Sequence, residues 1–156
     1  MTRPTNLERT LLAALLAGDH PALATLREQL AVVEVTSREF SGVGFFTHLA
    51  VPSSAPRLAI PRWVISDVNF RLDRLEHEAG ALLFVEEGLL TMLEAYTYAS
   101  ENWPTSETGN SVTYVTRGKA IGTGYEIVPT TARDMVWLAE EFAAAQLRAP
   151  EQPNGR

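Results

Sequence analysis

Gly80-Ala-Leu-Leu-Phe-Val-Glu-Glu-Gly-Leu-Leu-Thr-Met-Leu-Glu-Ala-Tyr-Thr-Tyr98 decides the fold. Residues 81–86 form an apolar run that ends in Glu86-Glu87-Gly88. Gly88 can take φ > 0 without a steric penalty, which a tight reversal needs. The run resumes as Leu89 to Tyr98. A helix is the rival, because Leu89, Leu90, Met92, Leu93 and Tyr96 also fit a 3.6-residue period. Gly80, Gly88 and the Tyr96-Thr97-Tyr98 end decide for two strands of a β-hairpin. Strict alternation in the second strand puts Leu90, Met92, Glu94, Tyr96 and Tyr98 on one face. Leu89, Thr91, Leu93, Ala95 and Thr97 fall on the other. Both faces are largely apolar, so the strand reads as central, covered by helices on one side and partly covered on the other.

Upstream, Thr5 and Glu8 have capping-box spacing, and Leu7, Leu11, Leu12 and Leu15 then line one helical face up to Gly18. Asp19 is the expected cap of a second helix, with Pro21 in its first turn and Leu23, Leu26 and Leu30 as its stripe. Val32 to Phe40 alternates: Val33, Val35 and Ser37 against Glu34, Thr36 and Arg38. A turn at Ser41-Gly42-Val43-Gly44 leads to a second strand, Phe45 to Val51. Pro52, Pro56 and Pro61 mark a loop. Trp63 to Leu72 reads as a third strand, with Val64, Ser66, Val68, Phe70 and Leu72 against Ile65, Asp67, Asn69, Arg71 and Asp73.

Downstream, Ser100 to Asn110 is polar and marks a possible boundary. Val112 to Thr116 and Tyr125 to Val128 read as short strands around the glycine-rich turn Gly118 to Gly124. Thr131 and Asp134 have capping spacing before a last helix carrying Met135, Leu138, Phe142 and Ala145. The expected architecture is α+β. An antiparallel sheet of five or more strands is flanked by two N-terminal helices and one C-terminal helix. It forms one domain over 1–148, with a possible C-terminal extension from about 108, and a frayed tail at 149–156. Phe45, Phe70, Phe84, Leu90 and Leu93 are the expected core.

Ser37-Arg38-Glu39-Phe40, Gly42-Val43-Gly44-Phe45-Phe46-Thr47, Gly80 to Tyr98 and Trp103-Pro104 together carry a resemblance. They resemble an uncharacterised family of small bacterial α+β proteins over about residues 19–105. Its pattern is R-E-x-T-G-x-G-F-[FY]-T, then G-x-x-L-F-[VI]-x-x-G-x-[LI]-x-x-L-E-[GA]-[FY]-[TS]-Y, then Trp-Pro. Ser41 stands where Thr precedes the first glycine, and the residues after Pro104 extend beyond the pattern. The resemblance implies a fold and no activity, so it carries no catalytic residues with it.

Composition narrows the function classes. With 46% apolar and 21% charged residues, the chain is globular in type. It has no cysteine, hence no disulfide, thiolate metal site or cysteine nucleophile. No secretory leader is evident and no apolar run reaches membrane-spanning length, so a cytoplasmic protein without membrane contact is expected. The net charge is −6, and Lys119 is the only lysine beside twelve arginines. A nucleic-acid partner is not expected from that balance. Between Asp73 and Glu107 eight acids face Arg74 alone, a local charge of −7. Such a stretch is either a solvated face or a docking face for a basic protein partner.

No motif announces a reaction. Gly42-Val43-Gly44 and Gly122-Thr123-Gly124 continue into no dinucleotide fingerprint, and Gly118-Lys119 lacks the rest of a P-loop. No cofactor and no metal are expected. His48, Asp67 and His77 would form an acid–base or metal site only if their strands were neighbours. Glu94 stands out, because a carboxylate inside an apolar strand must be paired, hydrogen-bonded or protonated. Arg38 is its expected partner, from a strand expected to lie against the hairpin, and Arg71 is the alternative. The candidate catalytic residues are therefore Glu94, Arg38 and His48. The candidate binding residues are Glu86, Glu87, Glu94 and Trp103. The function expected is that of a small non-enzymatic binding protein, one that neutralises a basic protein partner as small acidic immunity proteins do. The alternative is a small enzyme or small-molecule binder with a cleft near the Gly42 turn.

Overall fold

The computed structural model describes residues 2–148; the tail at 149–156 lies outside the described residues. Helices α1 (Asn6–Leu15) and α2 (Pro21–Leu30) precede β1 (Glu34–Phe40), β2 (Gly44–Ala50), β3 (Arg62–Arg71), β4 (Ala79–Glu86) and β5 (Leu89–Thr97). A short 3₁₀ turn, Tyr98–Ser100, leads on to β6 (Ser111–Ile121), β7 (Gly124–Thr130) and α3 (Met135–Leu147). The seven strands make one antiparallel sheet in the order β1-β2-β5-β4-β3-β6-β7. The chain is therefore α+β, and the β4–β5 hairpin lies inside the sheet as its alternation requires.

The helices cover one face. Leu7, Leu11, Leu12 and Leu15 of α1 and Leu23 and Leu26 of α2 join Phe45, Val68, Phe70, Leu83, Val85, Leu90, Leu93 and Ala95 in one continuous core. Helix α3 lies on the same side. Its Phe142 meets buried Trp63 at 5.1 Å and His20 at 5.2 Å, both edge to face. The Thr5–Glu8 capping box forms as expected. Two other caps differ. His20, not Asp19, starts α2, its Nδ1 accepting from Ala22 N–H at 3.1 Å. Asp134, not Thr131, starts α3 by accepting from Trp137 N–H at 2.9 Å.

Bulges overturn the strict alternation. The ladder slips between Val35 and Ser37, between Ile65 and Val68, and opposite Phe84–Val85. An extra residue sends every later side chain to the other face. Hence Trp63 and Ile65, not Val64 and Ser66, share the core with Phe70. Leu90 joins Leu93 and Ala95 there, away from Met92, Glu94 and Tyr96. Phe84 is the corrected core assignment: it is half-buried on the face the helices leave open. The polar segment after Ser100 is tied to the sheet. Trp103 N–H donates to Gly42 O, Asp73 N–H donates to Thr108 O, and β6 pairs directly with β3.

Candidate functional site

The face opposite the helices carries three ranks of side chains fixed by register. His48, Met92, Phe84 and Val64 stand side by side across β2, β5, β4 and β3. In the next rank Phe46 and Leu82 flank Glu94. In the third, Gly44 and Gly80 flank Tyr96, and Asn69 follows Gly80. Phe46, Leu82, Phe84, Met92, Glu94 and Tyr96 are all half-buried. Gly80 is required by a close approach. A Cβ there would stand 2.5 Å from Cζ and Oη of Tyr96, so the ring lies across β4 where a side chain would otherwise be. Tyr98 stacks edge to face on Tyr96 at 5.5 Å and donates to Asn69 Oδ1 at 2.8 Å.

Glu94 sits in the middle of this face, and among the described residues nothing hydrogen-bonds or ion-pairs with its carboxylate. Burial alone pushes its pKa up. Tyr96 is raised as well, by burial first, then by the adjacent Tyr98 and the nearby Glu94 charge. A carboxylate half-removed from water with no compensating donor is costly to the fold.

Arg38 is not the partner of Glu94. Strand β2 separates β1 from β5, so Arg38 lies one strand too far away and on the helix side. There its Nε donates to Glu8 Oε1 at 2.7 Å and its Nη2 to Glu8 Oε2 at 2.9 Å. Thr47 Oγ1 and Thr5 N–H also donate to that carboxylate, each at 2.7 Å. Burial raises the Glu8 pKa, but these hydrogen bonds and the Arg38 charge outweigh it and hold the carboxyl below its ordinary value. Arg71, the alternative, lies 3.7 Å from Glu78. The His48–Asp67–His77 grouping does not form, because β5 and β4 stand between β2 and β3. His48 lies 3.7 Å from Glu39, and His77 lies 3.3 Å from Glu101. Asp67 receives a two-pronged bond from Arg133, at 2.8 and 2.9 Å.

The acidic stretch is divided by the hairpin. Glu86 and Glu87 lie at its turn, Glu86 3.8 Å from Arg62 and Glu87 at φ 50° donating its N–H to Pro61 O. Glu76, Glu78 and Glu101 lie at the other end of β4, roughly 25 Å away at the usual strand rise. Glu101 there accepts from the N–H groups of Glu76 and His77. Trp103 is a packing residue: it meets Phe45 at 5.3 Å and Phe70 at 6.1 Å, and its Nε1 donates to Glu107. It thereby occupies the space beside the Gly42 turn.

No protein-family model, curated protein or solved structure matches the chain. Among the described residues no group of three or more His, Cys, Asp and Glu side chains is placed to hold a metal ion. No described helix is long and apolar enough to cross a membrane. Sequence reasoning put Glu94 on one face with Met92 and Tyr96, but missed Phe46 and Leu82 beside it and the Tyr96 ring lying across Gly80. The available signal was Gly80, a glycine in a strand interior that marks a close approach. That β2 borders β5 is written in no local pattern.

Proposed function

We propose that this protein is a non-enzymatic binding module whose open sheet face receives a basic protein partner, with Glu94 meeting an arginine or lysine of that partner. The observation that carries the reading is the unpartnered, half-buried Glu94 among Phe46, Leu82, Met92 and Tyr96. An apolar surface that closes over one carboxylate suits a cation surrounded by apolar groups, since burial strengthens the pairing and rejects uncharged competitors. A neutralising, immunity-like role is an analogy with small acidic immunity proteins and rests on the same face. The family resemblance adds a fold expectation without an activity. The alternative cleft beside the Gly42 turn has no comparable feature, because Trp103 rests against Phe45 there.

The test is comparative affinity capture from bacterial lysate with wild type, Glu94→Gln, Phe84→Ser and an exposed control, Glu87→Gln. The expected result is a basic protein retained by wild type and Glu87→Gln and lost with both other variants. Retention by folded Glu94→Gln, shown folded by circular dichroism, sinks the reading.

A further inference from the structure

We infer that the free edge of β7 pairs with β7 of a second copy of this chain, about a two-fold axis through Ile127. The two edges of the sheet are built differently. Strand β1 is blunted: Thr2 bridges to Val35, a bulge interrupts the ladder beside it, and Glu34, Arg38 and Glu39 supply charge. These are standard devices against edge pairing. Strand β7, Gly124-Tyr-Glu-Ile-Val-Pro-Thr130, has one charged residue, Glu126. Among the described residues its only strand neighbour is β6, and the slip in that pair is on β6, which leaves β7 regular.

Pro129 fixes which backbone groups point outward. It lies opposite Val115 and has no N–H to give β6, so its nitrogen side faces the free edge. By the two-residue period of a strand, Ile127 and Tyr125 also present their N–H and C=O groups there. Centring the axis on Ile127 lets the two Ile127 residues exchange both backbone bonds. Tyr125 N–H of each copy then reaches Pro129 O of the other, so the missing proline donor leaves no donor unmatched. The side chains agree with that register. Tyr125 is 56% exposed and Ile127 55%, large apolar exposures for a β-hairpin. In the pair, Ile127 meets Ile127 and the Tyr125 ring covers Pro129 of the second copy. Arg117, the cation beside Tyr125, is already matched by Glu140 at 2.6 Å, so this cation is neutralised within its own copy.

The product is a fourteen-stranded sheet, twice the seven strands of one chain. Its two helix layers lie on one side and two Glu94 faces on the other, so the pairing stands whether or not those faces bind a basic partner.

One strand pair is a small interface, below about 1,200 Å² in total, and a micromolar dissociation constant is expected. Light scattering and sedimentation equilibrium at about 100 μM should give twice the 17.1 kDa chain mass, falling toward the monomer on dilution. Ile127→Lys should be monomeric at the same concentration with an unchanged circular dichroism spectrum. The cysteine-free chain permits a register test. Across the axis the two Ile127 Cα atoms would stand about 5.5 Å apart, within disulfide reach. Ile127→Cys should cross-link on oxidation, and Glu126→Cys, whose copies lie too far apart, should not. A wild type that stays monomeric overturns the proposal. So does a dimer that survives Ile127→Lys, or equal cross-linking of the two cysteine variants.

Discussion

Arg38→Met tests the buried network on the helix side of the sheet. Arg38 gives Glu8 two charge-assisted hydrogen bonds, and the Glu8 side chain is 2% exposed. Without the guanidinium that carboxylate keeps only the Thr47 hydroxyl and the Thr5 N–H. Breaking a buried pair by removing one partner costs about 3–5 kcal/mol. Arg38 itself is 21% exposed, so water replaces part of what it gave. A loss of about 3 kcal/mol is therefore expected, or about 6–12 °C in Tm for a domain of this size. The pH dependence follows from the direction of the Glu8 shift. Its folded pKa lies below the ordinary value of 4.5, so wild type has this contribution in full above that value. The contribution is lost as pH falls through the depressed folded pKa. In Arg38→Met burial meets less opposition, so the carboxyl pKa rises relative to wild type and the variant gains on wild type upon acidification. Urea unfolding followed by tryptophan fluorescence should show the widest gap at neutral pH and a narrower one at about pH 4. A loss under about 1 kcal/mol, or a gap that is the same at both pH values, refutes the reasoning.

Two further substitutions address the open face and the hairpin. Glu94→Leu should raise Tm while abolishing partner capture, because a carboxylate whose pKa is raised by burial destabilises the fold most above that pKa. Its advantage over wild type should shrink as pH falls through the carboxylate range, and a lower Tm at neutral pH would show that Glu94 has a stabilising partner. Gly88→Ala should destabilise by more than about 1 kcal/mol, since the residue sits at φ +78°. The added Cβ would also meet Leu58 O at 2.0 Å, a backbone atom that cannot turn aside. Thermal unfolding unchanged by Gly88→Ala would refute the turn geometry.

The sequence by itself determined what depends on near neighbours. The Leu stripes and the Thr5–Glu8 box make α1, the apolar runs on either side of Gly88 make a central hairpin, and terminal helices around a run of strands make α+β. It also marked Glu94 as a carboxylate out of place. Tertiary structure decided everything that depends on which strand lies beside which. The bulges at Val35–Ser37, Ile65–Val68 and Thr91 lie where two strands meet, and each reverses an alternation that a single strand cannot be seen to reverse. Likewise β2, not β1, borders β5, so Arg38 is held by Glu8 thirty residues upstream while Glu94 faces outward among Phe46, Leu82 and Tyr96. Side-chain period and capping act over a few residues and can be read along the chain. Strand order is set by the packing of the whole sheet against α1, α2 and α3, and that long-range choice left Glu94 on the open face, unpaired among the described residues.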